Sequence, residues 1–175
     1  MSGNIDFGRG IEDRYGCAVI VTGSDSDKPH VDRIAESLEL YNIPYDVYSV
    51  HEQLRVPTDF FVEWLNGIES PLVVVAVAGG TDALSGFLSF NLVHPVISCP
   101  PDGFNVSCLR NPIGSSNAYI QRPENVGRYI TQMFSHINPF YREIIKKSIE
   151  EKEEESRLAD IELREHYRGK KEDDE

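Results

Sequence analysis

A chain of 175 residues with 40% hydrophobic and 26% charged side chains has the length and composition of one folded domain with a modest appendage, and neither a disordered nor a membrane character. Its formal net charge of −12 excludes a protein that coats nucleic acid, since no basic stripe is present to displace counterions from phosphates; an anionic ligand has to be held by local donors. Cys17, Cys99 and Cys108 form no Cys-x-x-Cys pair and accompany no histidine cluster, so buried reduced thiols are expected, with no disulfide framework and no metal.

Residues 1–16 are polar and aperiodic and read as a flexible leader without the hydrophobic region of an export signal. Residues 17–23 (Cys-Ala-Val-Ile-Val-Thr-Gly) are an apolar run closed by glycine, the pattern of a strand buried on both faces. A helix follows, with Ser26 and Asp27 as caps, Pro29 in its first turn and Val31, Ile34, Ala35 and Leu38 as its apolar stripe. Residues 45–50 form a second strand, and Pro57 and Thr58 open a helix that stops at Gly67. Residues 71–78, with four valines and two alanines, are the clearest buried strand. The apolar run to Gly80 is about half what a bilayer-spanning helix needs, so a cytoplasmic protein with no membrane contact is expected.

A glycine-flanked turn over 79–86 leads into a helix around Leu84, Phe87, Leu88 and Leu92. Residues 95–99 and 118–121 are further strands, separated by a stretch broken by prolines and glycines, and 123–136 are an amphipathic helix. From Pro139 a second helix runs to about Tyr167, with Tyr141, Ile144, Ile145 and Ile149 on one face. Its outer part carries opposite charges at i,i+4 spacing, which fits a solvated face or docking onto a neighbouring subunit. The organisation expected is a leader (1–16), an α/β domain (17–150), and a charged helix and tail (151–175).

Strands alternating with helices imply a three-layer, doubly wound, flavodoxin-like parallel sheet with C-terminal helices, and ligands of such sheets bind beyond the strands' carboxyl ends. That rule selects the loops at 23–27, 49–55 and 79–86. In the first, Gly23-Ser24-Asp25-Ser26-Asp27 offers free amides and two hydroxyls for a phosphate and carboxylates for ribose hydroxyls; Ser26 or Asp27 acting only as a helix cap explains the same residues. In the second, His51 stands at a strand's carboxyl end with Ser49 two residues before it, a candidate general acid or base. His30, His94, His136 and His166 have no such company and read as structural. The third, starting Gly79-Gly80-Thr81-Asp82, allows close approach to a planar ring but matches no dinucleotide fingerprint. At Ser98-Cys99-Pro100-Pro101 a cis proline, a rigid turn and a binding role all stay open.

In this order, Gly-Ser-Asp-Ser-Asp, Ser49-Val50-His51, Ala78-Gly79-Gly80 and Ile97-Ser98-Cys99-Pro100-Pro101 resemble the aminoimidazole ribonucleotide carboxylase and mutase family over about residues 17–150. The resemblance implies that Gly23, Ser24, Ser26 and Asp27 hold phosphate and ribose, that His51 beside Ser49 is the acid/base, and that Ala78, Gly79, Gly80, Ala83, Leu84 and Arg110 complete the substrate site. The family's mutase branch places a second histidine where this chain has Ala83. Ala83, Leu84, the Ile-Ser-Cys-Pro-Pro run and Ser107-Cys108-Leu109-Arg110 look like the branch that takes carbon dioxide directly. The implied activity is carboxylation of aminoimidazole ribonucleotide by carbon dioxide in purine synthesis, with no cofactor, in a homo-octamer.

Three positions depart from the direct branch: Glu52 replaces lysine, Gly80 replaces arginine and Asp82 replaces asparagine. Each exchange removes positive or adds negative charge near an anionic substrate, where a charge-assisted bond is worth roughly 1.5–3 kcal/mol. Two further readings therefore stand beside the carboxylase: the mutase, and a catalytically inactive nucleotide-binding or assembly homologue.

Overall fold

Two apolar runs, β1 (Cys17–Thr22) and β3 (Leu72–Val77), are buried at every residue, as expected of central parallel strands covered on both faces. They pair with each other in parallel, and β2 (Tyr45–Ser49), β4 (Val96–Ser98) and β5 (Asn117–Tyr119) extend the sheet to the order β2-β1-β3-β4-β5. The structure, a computed structural model, describes residues 6–50 and 55–172. Its strand order is that of the flavodoxin-like doubly wound sheet, with the switch point between β1 and β3.

Alternation along the strands divides the core in two. Ala18, Ile20, Val73 and Val75 face Val31, Ile34 and Leu38 of α2 (Lys28–Leu40), Ile130 and Phe134 of α5 (Val126–Phe134), and Tyr141 of α6 (Pro139–Glu172). Val19, Val21, Val74 and Ala76 face the other side, with Leu65 of α3 (Arg55–Asn66) and Leu84 and Leu88 of α4 (Ala83–Asn91). No described helix is long and apolar enough to cross a membrane.

Three expectations change. Residues within the leader fold: α1 (Phe7–Glu12) packs Phe7 and Ile11 against the α3/α4 side of the core, a contact too short in sequence to show a period. The amphipathic segment begins with a 3₁₀ turn, Pro123–Asn125, before α5. The helix from Pro139 continues past the expected end near Tyr167: α6 runs unbroken for 34 residues to Glu172. Its first part is anchored by Tyr141, whose hydroxyl donates to Gly16 O at 3.2 Å, while all residues from 151 to 168 are exposed.

The backbones of α5 and α2 come into direct contact at Gly127. A Cβ on Gly127 would stand 2.0 Å from the backbone oxygen of Ser37, and the Gly127 amide donates to Ser37 Oγ at 3.0 Å. Glycine is required here by space, and no side-chain motion relieves a clash with backbone. Gly127→Ala is expected to cost about 3 kcal/mol, the upper part of the overpacking range, measured as a fall in the urea midpoint at unchanged slope. A change within about 0.5 kcal/mol, the scale of neutral surface substitutions, would show that the two helices separate freely.

Candidate active site

β1 and β3 release their chains at the same level, because the Gly23 amide donates to Val77 O at 3.1 Å and so extends the ladder one step beyond β1. On the other side the Val50 amide donates to Thr22 O at 2.8 Å, which carries β2 to that level too. The three loops selected by the sequence therefore leave one edge of the sheet together.

The first loop is built on hydroxyls. Thr22 Oγ1 donates to Ser24 O at 2.9 Å and accepts from the Ser24 amide at 3.3 Å, which turns the chain sharply after the strand. Ser24 Oγ accepts from the Ser26 amide at 3.3 Å and lies 2.8 Å from Ser26 Oγ. It thus caps a 3₁₀ turn, Asp25–Asp27, that precedes α2. Asp27 occupies the N-cap position of α2 as expected but makes no side-chain cap bond there, and its carboxylate lies 3.5 Å from both Thr22 Oγ1 and Ser26 Oγ. Gly23, Ser24 and Asp27 are half-buried and Ser26 is exposed.

Ser49, exposed at the end of β2, donates to Asp25 Oδ1 at 3.4 Å, so the first two loops touch. Behind them Tyr48 packs on Phe61 and Trp64 of α3, each ring pair at 5.3 Å, and ties the end of β2 to the following helix. His51 and Glu52 lie outside the described residues.

The third loop differs most from its sequence reading. Gly80 takes a positive φ of 66°, and its amide is held by Asp102 Oδ2 at 2.9 Å. Its carbonyl accepts from Asn105 Nδ2 at 3.0 Å and Ser107 Oγ at 3.3 Å. Both polar groups of Gly80 are therefore engaged within the protein, and Gly79 and Gly80 present only backbone at the surface of the loop. Asn105 Nδ2 also donates to Asp102 Oδ1 at 2.9 Å, and this bond together with the one from the Gly80 amide holds Asp102 below the usual carboxylate range. The Asp102, Asn105 and Ser107 clamp leaves no mark in the sequence, since its partners sit in a stretch with no period.

The Asp82 side chain turns into the protein and away from the loop's surface. It is 1% exposed, with Oδ1 accepting from the Ser85 amide at 3.1 Å and Oδ2 from the Ser98 hydroxyl. Burial pushes its pKa up, against the pull of those bonds. Ala78 and Leu84 are also buried, with Leu84 packed in the α3/α4 side of the core, whereas Ala83 and Arg110 are exposed. Asn111, next to Arg110, sits so close to α4 that a Cβ on Gly86 would meet its side-chain oxygen at 2.8 Å.

Described peptide bonds are all trans, including those of Pro100 and Pro101. Among the described residues no group of histidine, cysteine and carboxylate side chains gathers at metal-ligand distance. All three cysteines are buried and free, and burial pushes Cys99 up to about 12. A groove of 960 Å³ between α2 and α6, lined by Tyr41, Arg128, Ile144 and Lys147, shares no residue with the three loops.

This sheet, with a hydroxyl-rich turn after β1 and a glycine turn after β3 on the two sides of its switch point, defines a doubly wound α/β protein of the flavodoxin-like kind. Residues 17–155 match the AIR carboxylase family, and the chain belongs to that family. The phosphoribosylaminoimidazole carboxylase of Archaeoglobus fulgidus is 32% identical over 84% of this chain and 84% of its own length. The N5-carboxyaminoimidazole ribonucleotide mutase of Thermotoga maritima is 34% identical over 61% of this chain and 60% of its own. The crystal structure of Treponema denticola PurE superposes with a TM-score of 0.79 at 26% identity, covering 85% of this chain and 98% of that one.

His30 links α2 to the end of β4: Nε2 lies 3.1 Å from Cys99 O and 3.4 Å from its sulfur. Burial lowers its pKa, so the folded protein resists a proton that the unfolded chain accepts. The stability this contact gives is fully present above the unfolded value of about 6.5 and is lost as pH falls through the lower folded value. Urea unfolding at pH 7.5 and pH 5.5 should therefore show a loss on acidification that His30→Gln makes smaller. The same loss in both proteins would mean that His30 is free to charge in the fold.

Proposed function

We propose that this chain joins aminoimidazole ribonucleotide to carbon dioxide, giving carboxyaminoimidazole ribonucleotide, as a lyase-class step of de novo purine (IMP) synthesis in the cytoplasm. The observation that carries the reading is the meeting of the Ser24–Ser26 turn with Ser49, beside the switch point of a sheet of this family.

The substrate's ring carbon is an enamine carbon, nucleophilic enough to attack carbon dioxide without an activated carboxyl carrier. The new bond joins ring carbon to carboxyl carbon, and the ring carbon's proton must then leave to restore the aromatic ring. His51 takes that proton in this reading. The hydroxyls of Ser24 and Ser26 with nearby amides hold the phosphate, Asp27 accepts from the ribose, and Arg110 supplies positive charge. Gly79 and Gly80, flanked by Ala78, Ala83 and Leu84, form the wall against which the ring lies flat. Holding ring and carbon dioxide together while excluding water supplies much of the acceleration.

Ala83 favours direct carboxylation over the mutase route, since it is exposed at the start of α4 and carries no group that exchanges a proton. A homo-octamer completes the proposal. It is supported by exposed apolar side chains on neighbouring elements, among them Phe60, Phe90, Leu109 and Ile113, which a lone chain would leave in water.

Ser24→Ala removes one bond to a charged group and is expected to raise the nucleotide's Kd roughly tenfold in calorimetry; an unchanged Kd would move the phosphate elsewhere. The decisive assay follows consumption of aminoimidazole ribonucleotide with dissolved carbon dioxide, and separately of its N-carboxy derivative. His51→Asn should keep nucleotide affinity while lowering turnover at least about a hundredfold. Equal turnover in the two proteins would remove His51 from the chemistry, and turnover of the N-carboxy compound alone would identify the mutase.

A further inference from the structure

The side chain at position 82 turns inward from an exposed loop. Gly79, Gly80, Thr81 and Ala83 are exposed on either side of it, while Asp82 itself is 1% exposed. Its backbone adopts the left-handed conformation, φ 44° and ψ 49°, which a short polar side chain tolerates when local bonds hold it. Four bonds do so: the two carboxylate contacts to Ser85 N and Ser98 Oγ, the Asp82 amide to Gly79 O at 3.3 Å, and Ser85 Oγ to Asp82 O at 3.3 Å. Ser98 is fully buried on β4 and pairs in register with Ala76 of β3. The carboxylate therefore ties the loop that follows β3 to the strand beside β3. From the solvent side the same loop is held through Gly80 by Asp102, Asn105 and Ser107.

We propose that Asp82 is a positioning residue for the carboxylation: its buried carboxylate, fixed between the Ser85 amide and the Ser98 hydroxyl, sets the turn in which Gly79, Gly80 and Thr81 meet the substrate ring. The proposal rests on the function given above. Asp82 touches no substrate. It acts through the backbone it holds, and a displacement of about 1 Å in such a wall is enough to cost binding and orientation a hundredfold. The exchange of asparagine for aspartate at this position then has a structural explanation: both side chains place an acceptor at Ser85 N, and the hydroxyl of Ser98 donates to a carboxylate or accepts from an amide.

Steady-state kinetics with aminoimidazole ribonucleotide on wild type, Asp82→Asn, Asp82→Ala and Ser98→Ala test this, with circular dichroism to establish folding. Asp82→Asn should stay within about threefold of wild type in KM and kcat, whereas Asp82→Ala should raise KM about tenfold or more with a smaller fall in kcat. A folded Asp82→Ala protein with wild-type KM overturns the proposal. Equal impairment of the asparagine and alanine variants also overturns it, since charge rather than shape would then be what matters. If Asp82→Ala does not fold, Ser98→Ala decides: a KM raised about threefold or more at unchanged kcat supports positioning, and an unchanged KM refutes it. A wild type that neither binds nor consumes the nucleotide is a different result, which defeats the functional reading and this proposal together.

Discussion

The pairing of β1 with β3 is the interaction from which the rest of the molecule follows. Six residue pairs, from Cys17 with Leu72 to Thr22 with Val77, set two buried strands side by side with their carboxyl ends level. The chain then departs in opposite directions, to β2 on one side and β4 on the other, and helices cover both faces. A crevice between the two exits is the geometric result, because no crossover helix passes over that point. Shifting this register would misalign the Gly23 turn and the Gly79 turn even if both sides of the core stayed filled.

What the sequence reveals follows from how locally each feature is encoded. The central strands are legible because burial on both faces demands an uninterrupted run of apolar residues, and 71–78 supplies one. The hydroxyl-rich turn is legible because glycine and serine follow such a run directly. Contacts that join distant segments leave no local trace. His30 looks solitary until α2 brings it to Cys99, 69 positions away, and Gly127 looks like a weak point in an amphipathic helix until Ser37 is found against it. Phe7 and Ile11 occupy one turn too few for a period, and their packing belongs to the tertiary fold alone.

Charge is where local reading and structure diverge most. Counted by type, Asp82 adds a negative charge to an anion site; placed in the fold, it is withdrawn beneath the loop and engaged with Ser85 and Ser98. Gly80, counted as a lost cation, is instead a residue at positive φ whose amide and carbonyl are both engaged, with open space where a side chain would project. An arginine at that point would meet no steric block from its neighbours, but it would carry the strain of left-handed backbone. The site is thus shaped by backbone conformation as much as by side-chain charge.

A helix of 34 residues is about 51 Å long, more than the sheet it leans on can cover. Only its inner turns rest on the core and on α5; the outer turns are held to themselves by exposed pairs such as Lys147 with Glu151 and Arg164 with Asp160. Such a segment owes its order to growth from the anchored end, so helical content there declines smoothly toward the tip instead of switching off at once. Salt weakens the pairs, and warmth shortens the helix turn by turn while the sheet stays intact. Its described outer turns are thus the part of the fold whose helical order should respond first to ionic strength and temperature.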